Sequence, residues 1–176
     1  MKILLLGGTG MLGTDCRLAF EREHEVLAPD QKTLDIISWD NVIETMQELT
    51  PDAVVNCAAL RDIEVCEKDE FLVRKINVEG PRNLAQGCAR FDAGLVHIST
   101  YCVYNGAKPV PQPYFEDDTV DPLNEYGRSK VYSETAVREN APQYAIIRTG
   151  WLYGAHGKNF VTEILSKALR GGRKKQ

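Results

Sequence analysis

Apolar residues along this chain recur with two alternating periods. Lys2 to Leu6 is a short, almost wholly apolar run ending at glycine, the pattern of a parallel strand buried on both faces. Met11, Leu12, Cys16, Ala19 and Phe20 then fall at helical spacing and give way to Glu21-Arg22-Glu23. Glu25 to Ala28 predicts a second strand. Trp39 to Leu49 predicts a helix, with Val42, Ile43, Met46 and Leu49 on one face and Ser38 as its N-cap. A third strand is expected over Ala53 to Asn56, after Pro51. One long helix should follow from Glu67 to Arg90, its apolar face made by Phe71, Leu72, Ile76, Leu84 and Cys88, with a kink at Pro81. Gly94 to Ile98 predicts a fourth strand, and the proline-rich stretch Asn105 to Pro122 a surface loop of a length that goes with function. A helix over Glu125 to Arg138, a strand over Tyr144 to Arg148 and a helix over Phe160 to Leu169 complete the pattern.

Strands and helices alternating in this way imply right-handed crossovers and an α/β, doubly wound parallel sheet of the Rossmann type. Five strands are visible where the usual dinucleotide fold has six, so the architecture reads as C-terminally incomplete.

Composition narrows the class. The chain has 176 residues, 43% hydrophobic and 26% charged, as in an ordinary globular protein. No apolar run approaches the ~20 residues of a membrane span, so a cytoplasmic protein without a membrane partner is expected. Its five cysteines are odd in number, spread out and without a C-x-x-C pair, which fits reduced thiols in a reducing compartment. Cys57, Cys66 and Cys88 are expected as buried small hydrophobes, and Trp39 and Phe71 as core residues. His24, His97 and His156 lie far apart and suggest no metal site. Net charge is −4, although Arg170, Arg173, Lys174 and Lys175 crowd the end as a solvated, frayed tail. The rest is more acidic still, a poor partner for nucleic acid.

Candidate chemistry begins after the first strand. Gly7, Gly10 and Gly13 form a G-x-x-G-x-x-G turn around Met11 and Leu12. Gly7 permits a sharp turn, Gly10 lets backbone N–H groups approach a pyrophosphate, and Gly13 lets the helix sit close to the sheet. The helix N-terminus favours the phosphate charge. Asp30, 17 residues after Gly13 at the end of the second strand, stands where an acid accepts hydrogen bonds from an adenosine ribose. That favours NAD, whereas Lys32 could meet the 2′-phosphate of NADP; both cofactors stay open. Asp35-Ile36 is a candidate adenine contact.

The second motif is Tyr126-Gly127-Arg128-Ser129-Lys130. Residues four apart share a helical face, so a nearby ammonium could lower the pKa of a phenol toward the working range. His97-Ile98-Ser99-Thr100 would place a hydroxyl at the carboxyl edge of the sheet, where ligands bind in such folds.

These motifs, with Asn56-Cys57-Ala58-Ala59, Ile76-Asn77-Val78, Pro122-Leu123-Asn124 and Arg148-Thr149-Gly150-Trp151-Leu152-Tyr153-Gly154, resemble the extended short-chain dehydrogenase/reductase family. Within it the chain is most similar to the dTDP-4-dehydrorhamnose reductases. The resemblance implies reduction of the 4-keto group of a dTDP-deoxysugar, a nucleotide-sugar substrate, with NADPH or NADH as hydride donor. Tyr126 would donate the proton, Thr100 would hydrogen-bond the carbonyl, and Lys130 would hold the nicotinamide ribose and depress the Tyr126 pKa. Ala58 and Ala59 would let the cofactor pass close to the strand end, with Asn77 supporting the site. Residues 1–158 would then be the cofactor domain and 159–176 the start of a truncated substrate domain. Two features depart from the family pattern: Tyr101-Cys102-Val103-Tyr104 stands where Asp-Tyr-Val-Phe is usual, and the substrate domain is mostly absent. A non-catalytic nucleotide-binding regulator, like the regulatory subunit of methionine adenosyltransferase, is the alternative, followed by a nucleotide-sugar dehydratase or epimerase. The oligomeric state is open, a homodimer included.

Overall fold

A computed structural model of the chain describes residues 1–171. Its elements are β1 (Lys2–Leu6), α1 (Met11–Phe20), β2 (Glu25–Leu27), α2 (Trp39–Leu49), β3 (Ala53–Asn56), α3 (Ile63–Lys68), α4 (Glu70–Arg74), a π-turn (Lys75–Glu79) and α5 (Gly80–Phe91). These are followed by β4 (Gly94–Thr100), α6 (Glu125–Asn140), β5 (Tyr144–Thr149) and α7 (Phe160–Gly171). The expected doubly wound sheet forms: its five strands run parallel in the order β2-β1-β3-β4-β5. A six-stranded order carries one more strand outside β2. Here the chain between β2 and α2 makes turns at residues 31–33 and 36–37 instead. Arg173, Lys174 and Lys175, read as a frayed tail, lie outside the described residues.

Strand alternation sends neighbouring side chains to opposite faces. Leu4 and Leu6 join Val42, Met46, Leu84, Cys88 and Val137 in the larger core, under α2, α5 and α6. Ile3 and Leu5 face the other way and pack with Val55 against Cys16 and Phe20 of α1. Fully burying each such leucine contributes about 1.5–3 kcal/mol. The Ser38 cap is present, its Oγ accepting from Asn41 N at 3.3 Å.

The single long helix expected over Glu67 to Arg90 is instead a broken one. Asp69 interrupts it by capping α4, its carboxylate accepting from Leu72 N at 2.9 Å, and the π-turn then resets the phase before α5. Pro81 sits in the first turn of α5, where its missing N–H costs nothing, and so opens a helix instead of bending one. The phase change leaves Phe71 73% exposed, and Trp39, at the first position of α2, is exposed as well. Neither belongs to the core. Cys66 and Cys88 are fully buried and Cys57 half-buried.

Candidate active site

A cleft of about 780 Å³ opens at the carboxyl ends of β1, β3 and β4. This is the switch point of a 2-1-3-4-5 sheet, where the chain turns left from β1 to β2 and then back across to β3. Its volume suits a small-molecule or cofactor site.

One end of the cleft is built from backbone. Gly7 has φ +73°, and a Cβ there would come within 2.9 Å of the Ala58 nitrogen and the Cys57 carbonyl carbon. At Gly13 a Cβ would collide with the Gly7 carbonyl oxygen, so glycine is what lets α1 seat on the loop. The N-cap of α1, Gly10, makes no side-chain cap and the first turn holds no acid. Such a helix end favours an anion. Asp30, Asp35 and Ile36 line the same wall. The Asp30 carboxylate is already engaged: one oxygen accepts from Lys32 N, Thr33 N and Thr33 Oγ1 at 2.9–3.1 Å, bonds that hold its pKa below the usual value.

Side chains build the other end. Thr100, at the tip of β4, and Tyr126, in the first turn of α6, line the cleft together with Ala58 and Ala59. Helix α6 is seated by Asn124, whose side-chain oxygen accepts from Gly127 N at 2.7 Å. Burial pushes the Tyr126 pKa up, and a hydrogen bond from Thr100 and the nearby Arg61 charge oppose that only in part. The phenol therefore keeps its proton through neutral pH.

Lys130 lies deeper than Tyr126. It is 1% exposed and does not line the cleft, and its Nζ lies 3.1 Å from His97 Nε2. Helical phase brings Tyr126 and Lys130 to one face, but in this structure Lys130 is directed at His97, and Arg61 is the cation whose charge lowers the Tyr126 pKa. Asn77 likewise lies behind the wall. Its amide clamps the Leu60 backbone from both sides, accepting from N and donating to O at 2.8 Å, and donates to Ser129 Oγ at 3.0 Å. Leu60 in turn lines the cleft.

Two parts of the site lie outside the residues expected from the sequence. Arg61 carried no signal beyond its place after Ala58-Ala59. Trp151, Leu152, Asn159 and Phe160 also line the cleft. The chain after β5 folds back over α1, with Asn159 Nδ2 donating to Gly154 O at 3.0 Å and His156 Nδ1 lying 2.7 Å from Asp15. The loop expected over Asn105 to Pro122 is tied down as well: Tyr104 stacks on Tyr114 with centroids 4.4 Å apart, and Arg148 Nη1 donates to Tyr104 Oη at 2.6 Å. Arg148 and Arg138 both pair with the buried Glu134, at 2.6 and 2.9 Å.

Fold and cleft together define a Rossmann-like protein of the doubly wound class. The model of the family described as RmlD substrate binding domain matches residues 1–175, and the chain belongs to that family. It is similar to a probable dTDP-4,6-dihydroxy-2-methyloxan-3-one 4-ketoreductase of Streptomyces antibioticus, 39% identical over 175 residues that make up 98% of this chain and 58% of that protein. A dTDP-4-dehydrorhamnose reductase of Mycolicibacterium smegmatis is 37% identical, over 97% of this chain and 52% of that protein. Among solved structures, a dTDP-4-dehydrorhamnose reductase of Bacillus anthracis in complex with NADP superposes with a TM-score of 0.92 at 34% identity, covering 96% of this chain and 60% of the other. The chain thus spans between about half and three fifths of the length of these relatives.

Proposed function

We propose that this chain is the cofactor-binding and proton-donating part of an NAD(P)H-dependent reductase. Its substrate would be the 4-keto group of a dTDP-deoxysugar, in the manner of dTDP-4-dehydrorhamnose becoming dTDP-L-rhamnose. The observation that carries this reading is the shared cleft: a glycine cradle that a single Cβ would fill and a Thr100–Tyr126 hydroxyl pair open on the same space. The names of the relatives and the NADP held by one of them support it.

The backbone of Gly7, Gly10, Met11, Leu12 and Gly13 fits a diphosphate, Asp30 an adenosine ribose, and Asp35 and Ile36 the adenine. When bound, the nicotinamide would supply hydride to the ketone carbon. Tyr126 donates its proton to the ketone oxygen as negative charge develops there. A phenol held protonated by burial suits a reduction, because the donor must start loaded. Thr100 hydrogen-bonds the same oxygen, and donors placed in advance around it supply the stabilisation. Ala58 and Ala59 leave room beside the strand end, with Asn77 keeping Leu60 in place. Residues 1–158 hold this machinery, and 159–176 begin the substrate-facing part.

The test is to titrate the chain with NADH and with NADPH, then to measure oxidation of the bound cofactor with a 4-keto sugar nucleotide. Tyr126→Phe should leave cofactor affinity within about twofold while lowering turnover by about 10²–10⁴. Cofactor binding without turnover in the wild-type chain would favour the non-catalytic regulator.

A further inference from the structure

Behind the cleft wall lies a buried polar string, Asn56, His97, Ser133 and Lys130, none of them more than 1% exposed. The backbone N–H of Ala58 can only donate, and it sits 3.0 Å from the Asn56 side-chain oxygen. That contact decides which end of the amide is oxygen. The amide nitrogen therefore donates to His97 Nδ1, 3.2 Å away. An accepting ring nitrogen carries no hydrogen, so neutral His97 must carry its hydrogen on Nε2. His97 is neutral, because burial holds its pKa well below the ordinary value.

Nε2 faces Ser133 Oγ at 2.6 Å and Lys130 Nζ at 3.1 Å. An ammonium has no lone pair and would set N–H against N–H, whereas an amine can share the Nε2 hydrogen. The arrangement is that of uncharged Lys130. Around the lysine stand His97 from β4, Ser133 and Glu134 from its own helix, and the Cys57 thiol that follows β3. Glu134 favours the ammonium, but its oxygens already accept from Ser99, Arg138 and Arg148 at 2.6–2.9 Å. Burial lowers the Lys130 pKa to about 8, within reach of physiological change.

We propose that His97 is the positioning residue for Lys130: its Nε2–H tautomer fits the amine, its Nδ1–H tautomer fits the ammonium, and exchange between them links the charge on Lys130 to the Asn56 amide and the Ala58 N–H on the cleft wall. One proton is gained from solvent in the change. A hydrogen is added at Nδ1 while the Nε2 hydrogen passes across the 3.1 Å contact to Nζ. Nδ1–H then needs an acceptor, so the Asn56 amide turns over and gives up its bond to Ala58 N–H. Any bearing on catalysis rests on the reductase reading above; the tautomer and the charge do not.

The experiment is NMR of the full chain with ¹⁵N-labelled histidine and lysine, followed from pH 6 to pH 10. Above the Lys130 midpoint His97 should show Nε2–H, below it Nδ1–H, with one shared midpoint near pH 8 and a matching shift of the Ala58 amide. A tautomer that never changes, or midpoints that differ between the two residues, would overturn the proposal. Asn56→Asp keeps an acceptor for Ala58 N–H and adds one for Nδ1–H. It should lock the Nδ1–H tautomer at every pH and raise the proton affinity of Lys130 about tenfold or more. Charge attraction alone would move the lysine without locking the ring, and that result also counts against the proposal. Absence of reductase turnover leaves these readouts unaffected, so the two proposals fail separately.

Discussion

The two ends of the cleft are built from different materials. At the α1 end the cleft surface is main chain: glycines at 7, 10 and 13, an uncapped helix terminus and a turn held by Asp30. At the α6 end it is side chains, and the ones exposed to the cleft rest on a second set that never reaches it. His97, Lys130, Ser133 and Glu134 are each at or below 1% exposure. Backbone carries its donors wherever the chain goes, so the first end needs only local conformation. The second end needs buried polar and ionisable groups, which persist only where each has a partner.

Mutations should therefore hurt the two ends in different ways. The largest effect on stability is expected from Glu134→Ala, which strands Arg148 with 12% of its side chain exposed and removes the acceptor for Ser99. Breaking a buried pair costs about 3–5 kcal/mol, to be read from urea unfolding. Burial pushes the Glu134 carboxyl up, but the bonds from Arg148 and Ser99 outweigh it and hold the pKa below the usual range. A depressed carboxylate stabilises the fold above its unfolded pKa of about 4.3 and loses that contribution as pH falls through the folded value. Wild type should weaken with acid below about pH 4, and the Glu134→Ala variant should weaken less steeply there.

Next comes the lysine. Its folded pKa of about 8 lies below the unfolded value of about 10.4, so the unfolded chain binds more protons between the two. Stability should rise with pH across that window, by on the order of 3 kcal/mol. Lys130→Met should flatten the rise, and denaturation at pH 7.5 and pH 10 compares the two proteins. A wild-type curve that falls over this range would show the amine to be solvated.

A smaller cost is expected at the other end. Gly13→Ala forces a Cβ against the Gly7 carbonyl oxygen. Overpacking of this kind costs about 1–3 kcal/mol, and the displaced loop should weaken NADPH binding in a calorimetric titration even where the fold survives. Smallest of all is Phe71→Ser. With its ring 73% exposed and the Lys75 ammonium 5.6 Å from the ring centroid, the change should stay within about 0.5 kcal/mol in the same urea measurement.

Local pattern determined a good deal of this protein. Short apolar runs set the five strands, the G-x-x-G-x-x-G turn set the anion-favouring loop, and Ser38 set the start of α2, because each of these depends on residues within a few positions of one another. Thr100 and Tyr126 were also legible, one at a strand end and the other at a helix start. Tertiary structure alone decided the rest. Asp69 and the π-turn rotated Phe71 out to solvent, and the chain after β5 folded over α1 to bring Asn159 and Phe160 to the cleft. Lys130 turned toward His97, which is 33 residues away in sequence, and not toward the phenol beside it on the helix. A buried ionisable group goes where its hydrogen bonds and dielectric allow, and those are set by the packing of several elements at once.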